Sequence, residues 1–243
     1  MNNGSVREAV ILAAGNGVRL AKASSLPKPL VTIAGRSLLD RILGRLTEAG
    51  FERVCVVTGY RGNELQQSSF PSADSVQLDW VHNPDFHLPN GVSLLAVEGR
   101  VRSPFLLLMS DHLFEKATLE RFLNSPVPAC GGVLATDAKI DTVFDLGDAT
   151  KVDCEGQRIR SLGKDLTEFN AVDTGMFLLN ESVFPAMKQS LFRGDGSLSG
   201  GISMLAGSEG VCTHDIGNRR WIDIDTPQAL EEAERMVRMD ILS

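Results

Sequence analysis

The amino-acid sequence predicts one α/β domain, with a mostly parallel, twisted, Rossmann-like sheet flanked by helices and an inserted β-rich portion in the middle of the chain. Two observations predict this class. In the first half, short apolar runs alternate with segments of helical periodicity, as in βαβ folds. In the middle, short segments are separated by turn residues. At 243 residues the chain can bury a large core.

The first strand–helix–strand unit has the clearest pattern. Ala9–Ala14 is an apolar run that ends in a glycine-rich loop and predicts a buried strand. Ser37–Ala49 has apolar residues at helical spacing, with its charged residues, Arg41 among them, on the opposite side. Val54–Thr58 predicts the next strand. A βαβ unit implies parallel strands and a right-handed crossover.

The later elements follow from the same patterns. Thr226 and Pro227 predict the N-cap and first residue of a last helix that ends near Met239. Turn residues at Gly147-Asp148 and Glu155-Gly156 predict β-hairpins. The other expected strands are Val76–Val81, Pro104–Met109, Met176–Leu179 and Val211–Ile216, and the other expected helices lie at 92–97, 118–123, 181–190 and 198–206.

Net charge, cysteine spacing and the length of apolar runs argue against several classes of protein. A net charge of −7 argues against a dedicated nucleic-acid-binding protein, although a few local cations could still hold a phosphate. The four cysteines form no CxxC pair, which fits free thiols in a reducing cytoplasm. No apolar run approaches the roughly 20 residues of a membrane span.

The loop after the first strand is a candidate anion site. Gly15 and Gly17 allow backbone N–H groups to form a concave nest around an anion. The loop has no Gly-Lys-Ser/Thr, so it is not a P-loop, and Leu20 replaces the third glycine of a dinucleotide fingerprint. Three cations follow or lie within it: Arg19, Lys22 and Lys28.

Two acidic segments are candidate metal ligands. Asp111 follows an apolar strand, at the sheet edge where α/β folds bind ligands, although it could instead cap the next helix. Asp223 and Asp225 alternate along an extended segment, so both side chains point to the same side. Such oxygen ligands suit Mg²⁺. His112 is the one histidine next to a proposed catalytic group.

The glycine loop also carries a family resemblance. "ILAAGNGVRL" followed by "LPKPLVTIAGRSLLDRIL" resembles the signature of sugar-phosphate and polyol-phosphate nucleotidyltransferases. The resemblance implies a Mg²⁺-dependent enzyme with Arg19, Lys28 and Asp111 as catalytic residues. It implies metal ligation by Asp111 and Asp225, with Asp223 as a second ligand or a partner through water. The implied triphosphate-binding residues are Ala13, Ala14, Gly15, Asn16, Gly17, Arg19 and Lys28.

The same resemblance assigns the remaining subsites. "NPDFHLPNGVSLL" would contact the base and ribose, although by itself it could be an ordinary capped turn. "SLGKDL" and "AVDTGMFLL" would contact the acceptor, although Lys164 could be a solvated surface lysine. The residues concerned are Asn90, Gly91 and Ser93 for the nucleotide, and Lys164, Asp173, Thr174 and Gly175 for the acceptor.

Within this family the chain is most similar to the CTP:inositol-1-phosphate cytidylyltransferases over nearly its whole length. That similarity implies transfer of CMP from CTP to inositol 1-phosphate, giving CDP-inositol and pyrophosphate. The single domain at 1–243 would comprise an NTP-binding half at about 1–125, an acceptor-binding portion at about 126–220, and a closing metal-site segment and helix at 221–243. A membrane CDP-alcohol phosphotransferase would act downstream as a separate protein, and a homodimer is compatible with this organisation.

Other functions remain open at this stage. The acceptor could be phosphocholine or aminoethylphosphonate, or a sugar 1-phosphate used with UTP, dTTP or GTP. A choline head group favours an aromatic cage, and one Tyr, two Trp and eleven Phe form no obvious cluster in the sequence. A non-catalytic nucleotide-binding module is the alternative of another class.

Overall fold

The protein is described here by a computed structural model covering residues 6–20, 24–124 and 130–242, so Lys22 lies outside the described residues. Nine strands of the described residues form one sheet, and helices cover both of its faces. Alternate residues of the first strand, such as Ile11 and Val10, enter two separate cores. The predicted α/β class is therefore confirmed.

The strands are β1 (Glu8–Ala13), β2 (Thr32–Ile33), β3 (Arg36–Ser37), β4 (Arg53–Thr58), β5 (Gln77–His82), β6 (Phe105–Met109), β7 (His112–Phe114), β8 (Gly132–Asp137), β9 (Lys151–Glu155), β10 (Arg158–Gly163), β11 (Ala171–Leu179), β12 (Val211–Asp215) and β13 (Trp221–Asp223). The helices are α1 (Leu38–Glu48), α2 (Gly62–Gln67), α3 (Gly91–Leu95), α4 (Lys116–Asn124), α5 (Val183–Phe192), α6 (Leu198–Ser208) and α7 (Pro227–Arg238).

The large sheet is parallel at one end and mixed at the other. Its strand order is β5-β4-β1-β6-β11-β8-β12-β10-β9. The first four strands are parallel, whereas β11 runs antiparallel to both β6 and β8. The strands of the predicted β-rich portion continue the same sheet by hydrogen bonding.

Three local predictions have different outcomes. Thr226 caps α7, since its hydroxyl accepts from the Ala229 N–H at 3.1 Å, as predicted. The hairpin at Glu155-Gly156 is confirmed by the β9–β10 pairing. The prediction of a hairpin at Gly147-Asp148 is wrong, because β8 before this segment and β9 after it do not pair with each other. That segment instead connects a short 3₁₀ turn at Ile140–Thr142 to β9.

Helix α1 departs from its predicted amphipathic arrangement. Its apolar face packs into the core, as the pattern predicts. Asp40 and Arg41, expected on a solvated face, are buried as well. Asp40 is covered by the turn around Ser72, and Arg41 reaches the carbonyl of Ile33. The sequence pattern missed this because the covering residues come from distant segments.

Candidate active site

The glycine loop follows β1, at the carboxyl end of the parallel strands. The Ala14 carbonyl accepts from the Tyr60 N–H at 3.1 Å, which fixes the start of the loop against the end of β4. Gly17 has φ +57°, and a Cβ there would lie 2.9 Å from Lys28 Cβ. Glycine at this position therefore lets the loop pack directly against Lys28.

A two-stranded sheet joins the two acidic segments. β7 pairs antiparallel with β13, with His112 opposite Asp223. The Ile224 N–H donates to the Asp111 carbonyl at 2.9 Å. These backbone contacts place Asp111 beside Asp223 and Asp225, although Asp111 lies more than 100 residues before them in the sequence. Asp111 precedes a strand, so it is not the cap of the next helix.

Lys28 is the cation at the centre of these carboxylates. Its Nζ lies 2.6 Å from Asp111, 3.9 Å from Asp223 and in hydrogen-bond contact with Asp225. Burial acts to lower the pKa of Lys28, but the three carboxylates outweigh burial and raise this pKa above its ordinary value. The side chain therefore remains charged at neutral pH.

His112 contributes a second cation to the cluster. Its Nδ1 lies 2.7 Å from Asp111 Oδ1, and its ring stacks on Trp221 with centroids 5.7 Å apart. Burial opposes its charge, but Asp223 and Asp111 raise the pKa of His112 to about 9. For Asp111, burial is likewise outweighed, and Lys28 and His112 hold its pKa well below the usual range.

Asp223 is the least satisfied carboxylate of the cluster. Its Oδ1 is buried and has no hydrogen-bond partner. Burial and the charge of Asp111 raise the pKa of Asp223 to about 7. Asp223 belongs to two groups of three residues, and within each group the potential ligand atoms lie within 4.8 Å of one another. The first group is Asp111, His112 and Asp223; the second is Asp148, Asp223 and Asp225. The cluster thus has the acidic groups that a metal ion requires.

Asp148 is a site residue that sequence reasoning missed. Its Oδ2 accepts from Arg19 at 2.8 Å, and its Oδ1 accepts from Lys164 at 2.7 Å. Arg19 also contacts Asp225. One carboxylate therefore links the cation of the glycine loop to the cation of the predicted acceptor portion. Its only sequence signal is the turn-like string "DLGDATKV".

A cleft of about 730 Å³ extends from the carboxylates into the second half of the chain. Lys164, Asp173 and Gly175, for which acceptor contacts are predicted from the sequence, line this cleft. Thr174 does not, because its buried hydroxyl donates to the Ala135 carbonyl at 2.8 Å. Burial raises the pKa of Asp173 to about 6, and the Gly175 N–H opposes the shift by donating to it at 2.7 Å.

The predicted base-binding segment is only partly open to the cleft. Asn90 lines it, with its Oδ1 accepting from the Leu198 N–H at 2.9 Å. Ser93 is buried and accepts from Asn83 at 3.0 Å, so its hydroxyl faces the interior. Gly91 is packed against α5, where an added Cβ would lie 2.1 Å from Met187 Cε. Their predicted ligand contacts remain predictions.

Cations and carboxylates thus meet at the carboxyl ends of parallel strands, where open α/β sheets bind their ligands, and this arrangement suits an anionic substrate. Residues 9–189 match the MobA-like NTP transferase domain family. The chain belongs to this family of nucleotidyltransferases, as the resemblance of the glycine loop implied.

Two relatives are similar in sequence over nearly all of this chain. The chain is 32% identical over 231 residues to the bifunctional IPC transferase and DIPP synthase of Aquifex aeolicus, and 34% identical over 231 residues to that of Thermococcus kodakarensis. These matches cover 95% and 94% of this chain but only 51% and 50% of the relatives, so the chain spans about half their length.

A solved structure has the same fold over nearly all of the chain. The inositol-1-phosphate CTP transferase from T. maritima matches with a TM-score of 0.84 and 27% identity, covering 97% of this chain and 96% of that one. Among the described residues, no helix combines the length and apolar character needed to cross a bilayer.

Proposed function

We propose that this chain transfers CMP from CTP to inositol 1-phosphate, forming CDP-inositol and releasing pyrophosphate. One observation carries the proposal: Arg19 and Lys164 bind the two oxygens of Asp148. A cation of the triphosphate loop therefore lies within one carboxylate of a cation on the acceptor side. This spacing suits two phosphorylated substrates that react with each other. The names of the relatives supply the identities of CTP and inositol 1-phosphate.

The chemistry requires positioning and charge neutralisation more than proton transfer. An oxygen of the acceptor phosphate attacks the α-phosphorus, the bond to the β-phosphate oxygen breaks, and pyrophosphate leaves. The acceptor phosphate is largely ionised at pH 7, since its second pKa is near 6, so no strong general base is needed. Lys28 and Arg19 would stabilise charge on the α-phosphate and the leaving group. Lys164 would hold the acceptor phosphate.

Asp111, Asp223 and Asp225 would hold the Mg²⁺ ion that this class of reaction uses. The donor set fits, because Asp223 has a buried oxygen without a hydrogen-bond partner and all three residues offer hard oxygen ligands. When bound, Mg²⁺ neutralises phosphate charge. Both oxygens of Asp225 contact Lys28 or Arg19, so the free oxygen favours Asp223 as a direct ligand over the preference for Asp225 drawn from the sequence.

The acceptor would bind in the cleft beyond Lys164. Asp173 offers a carboxylate there, and the backbone at Gly175 brings β11 close to His112. Asn90 lines the same cleft. Polar groups of this kind suit the hydroxyl groups of a polyol, which can both donate and accept hydrogen bonds.

Pyrophosphate release tests the proposal directly. The protein would be mixed with Mg²⁺ and each pair from CTP, UTP, dTTP or GTP with inositol 1-phosphate, phosphocholine, 2-aminoethylphosphonate or glucose 1-phosphate. We expect the highest kcat/KM for CTP with inositol 1-phosphate, and CDP-inositol as the product by mass spectrometry. A different best pair would replace the proposed substrates. If none of the pairs releases pyrophosphate, a nucleotide-binding module without turnover would be favoured.

A further inference from the structure

Asp137 is a buried carboxylate to which the proposed reaction gives no role. It is the last residue of β8 and is only 3% exposed. Its Oδ1 accepts from the backbone N–H of Lys139 at 2.8 Å and from Lys139 Nζ at 2.6 Å. Its Oδ2 accepts from the indole Nε1–H of Trp221 at 2.9 Å. Both oxygens are therefore engaged, and Asp137 joins β8 to β13.

The place of β8 in the fold makes Asp137 a firm anchor. β8 lies inside the large sheet, between β11 and β12. β7 and β13 form a separate two-stranded sheet. Because a two-stranded sheet has little stability of its own, it depends on contacts with the rest of the fold. The hydrogen bond from Trp221 to Asp137 ties the small sheet, which contains Asp223, to an interior strand of the large one.

Trp221 in turn contacts His112. His112 lies opposite Asp223 in the β7–β13 pairing, so Trp221, two residues before Asp223, is its diagonal neighbour. The indole and imidazole rings are nearly parallel, with an interplanar angle of 11° and centroids 5.7 Å apart. Because stacked rings at this separation attract each other, the plane of the indole restrains the plane of the imidazole.

The backbone of β11 confines the same imidazole. Gly175 has φ +77°, and a Cβ there would lie 2.6 Å from His112 Cδ2. The Nδ1 of His112 lies 2.7 Å from Asp111 Oδ1. An imidazole that is held by Trp221 and by the backbone at Gly175 therefore fixes the orientation of the Asp111 carboxylate.

We propose that Asp137 is a positioning residue of the active site, which acts through Trp221 and His112. The group that it positions is the carboxylate of Asp111. This role rests on the proposed function, in which Asp111 is one of the carboxylates that would hold Mg²⁺. Asp137 supplies the anchored end of the linkage, and Asp111 lies at the reacting end.

The expected loss falls on the rate of the chemical step. Misplacing a reacting group by about 1 Å can cost about 10²-fold in rate. Loss of the hydrogen bond from Trp221 leaves the ring stack in place, so we expect a smaller loss of about tenfold in kcat. Arg19 and Lys164 pair with Asp148 and not with Asp137. The KM values for CTP and the acceptor should therefore change less than about twofold.

Asp137→Asn and Trp221→Phe break the same hydrogen bond from its two ends. The amide of Asp137→Asn keeps one acceptor oxygen for Lys139 and presents an NH₂ group to the Nε1–H of Trp221. Trp221→Phe removes the donor and keeps a ring for the stack. We expect the two single variants and the double variant to lose kcat equally, by about tenfold, because all three interrupt one linkage.

Two kinetic outcomes would overturn the inference. Losses that multiply to about 100-fold in the double variant would show that Asp137 acts without Trp221. Wild-type kcat in Asp137→Asn would leave Asp137 with a structural role alone.

Asp40→Asn is the matched control for stability. Asp40 is likewise buried, with 5% exposure, and accepts from Arg36 and Ser72 on α1, outside the active site. We expect Asp40→Asn to lower the melting temperature but to keep kcat within about twofold of the wild type. A loss of kcat equal to that of Asp137→Asn would show that lost stability explains both variants, and would contradict the positioning role.

Nuclear magnetic resonance tests the linkage without turnover. The chain has four histidines and two tryptophans, so the ring signals of His112 and Trp221 are assigned by their loss in His112→Gln and Trp221→Phe. Asp137→Asn should shift the Nε1–H signal of Trp221 and the Cδ2–H signal of His112, whereas Asp40→Asn should shift neither. An unchanged His112 signal in Asp137→Asn would refute the linkage. If these shifts occur but the wild type transfers no nucleotide to any acceptor, the proposed function fails while the linkage from Asp137 to His112 stands.

Discussion

Two buried cations, Lys28 and Arg41, have opposite surroundings. They are exposed to the same small extent, 8% and 9%. Lys28 has three carboxylates within 4.0 Å, whereas Arg41 has none among the residues that the structure describes. His112 adjoins both regions, because it contacts Asp111 and also lines, together with Arg41, a small cavity between α1 and β7.

The difference shows that burial alone does not determine what a charge does in this fold. Burial acts to lower the pKa of both cations, yet carboxylates reverse the shift at Lys28 and like charges deepen it at Arg41. Lys28 is held by groups that its own chain supplies. At Arg41 the charge of Asp40 acts against burial, but it does not outweigh burial and the two neighbouring arginines. Removing the cation should therefore lower the free energy of unfolding more at Lys28 than at Arg41.

The largest expected effect is on catalysis, from removing a carboxylate beside Lys28. Asp111→Ala should lower kcat by at least ~10²-fold, the scale seen when one preorganised electrostatic group is lost. Pyrophosphate release measures the rate, and circular dichroism checks that the fold is retained. Asp141→Ala, an exposed carboxylate in the 3₁₀ turn before β9, is the control. Near wild-type turnover in Asp111→Ala would remove Asp111 from the mechanism.

The next effect compares the two cations directly. Lys28→Met should lower the free energy of unfolding by about 2 kcal/mol at pH 7 without divalent ions, because it leaves several carboxylates unpaired. The figure lies below the 3–5 kcal/mol typical of a fully buried pair, since these carboxylates are partly exposed. Because the pKa of Lys28 is raised, its contribution is complete below pH 10.5 and is lost only as the pH rises beyond it.

Urea denaturation of Lys28→Met and Arg41→Met in the same buffer makes the comparison quantitative. Arg41→Met should cost less than Lys28→Met, because Arg41 has no carboxylate within 4.0 Å among the described residues and its removal loses a side-chain hydrogen bond to the Ile33 carbonyl. Equal losses in the two variants would show that shared packing, rather than ion pairing, explains both positions.

The sequence predicted the parts of this site that depend on local pattern. The strand and loop ending at Arg19, the lysine in "LPKPL" and Asp111 after an apolar strand all follow from contiguous residues. Their convergence follows because parallel strands place their carboxyl ends at one edge of a sheet. A sequence window contains enough information for each of these features.

Asp148 and Arg41 were beyond such reasoning for a physical reason. Asp148 acquires its role from Arg19, 129 positions away, and nothing in its own turn announces that partner. Arg41 occupies the polar side of a helix whose period predicts exposure, yet it is buried and its Nη2 donates to the Ile33 carbonyl outside the helix. The continuation of the sheet through β11 was likewise missed because it depends on long-range pairing.

A smaller effect concerns Asp173, whose pKa of about 6 lies above its ordinary 3.8. The folded state therefore holds a proton that the unfolded state releases between these values, and stability falls as the pH rises through that window. Asp173→Asn has no carboxyl group to titrate and so avoids this loss of stability. Relative to the wild type, its free energy of unfolding should rise by about 1 kcal/mol from pH 4.5 to pH 7.5, after discounting for partial exposure. Urea titrations at both pH values measure this difference, and a constant difference would contradict the shifted pKa.

The smallest effect tests whether the active-site charges are matched to each other or to substrate. Asp148 holds Arg19 and Lys164, whose side chains are 50% and 55% exposed, so each pair contributes at most about 1 kcal/mol. Substrate phosphates must compete with this carboxylate for the same cations. Asp148→Asn should therefore lower KM for both CTP and the acceptor by about two- to fivefold, with kcat within about twofold. Asp141→Asn should leave both KM values unchanged. It removes the same charge from the same segment between β8 and β9, but Asp141 has no ion pair with Arg19 or Lys164. Higher KM values in Asp148→Asn would mean that Asp148 orients Arg19 and Lys164 for the phosphates rather than competing with them.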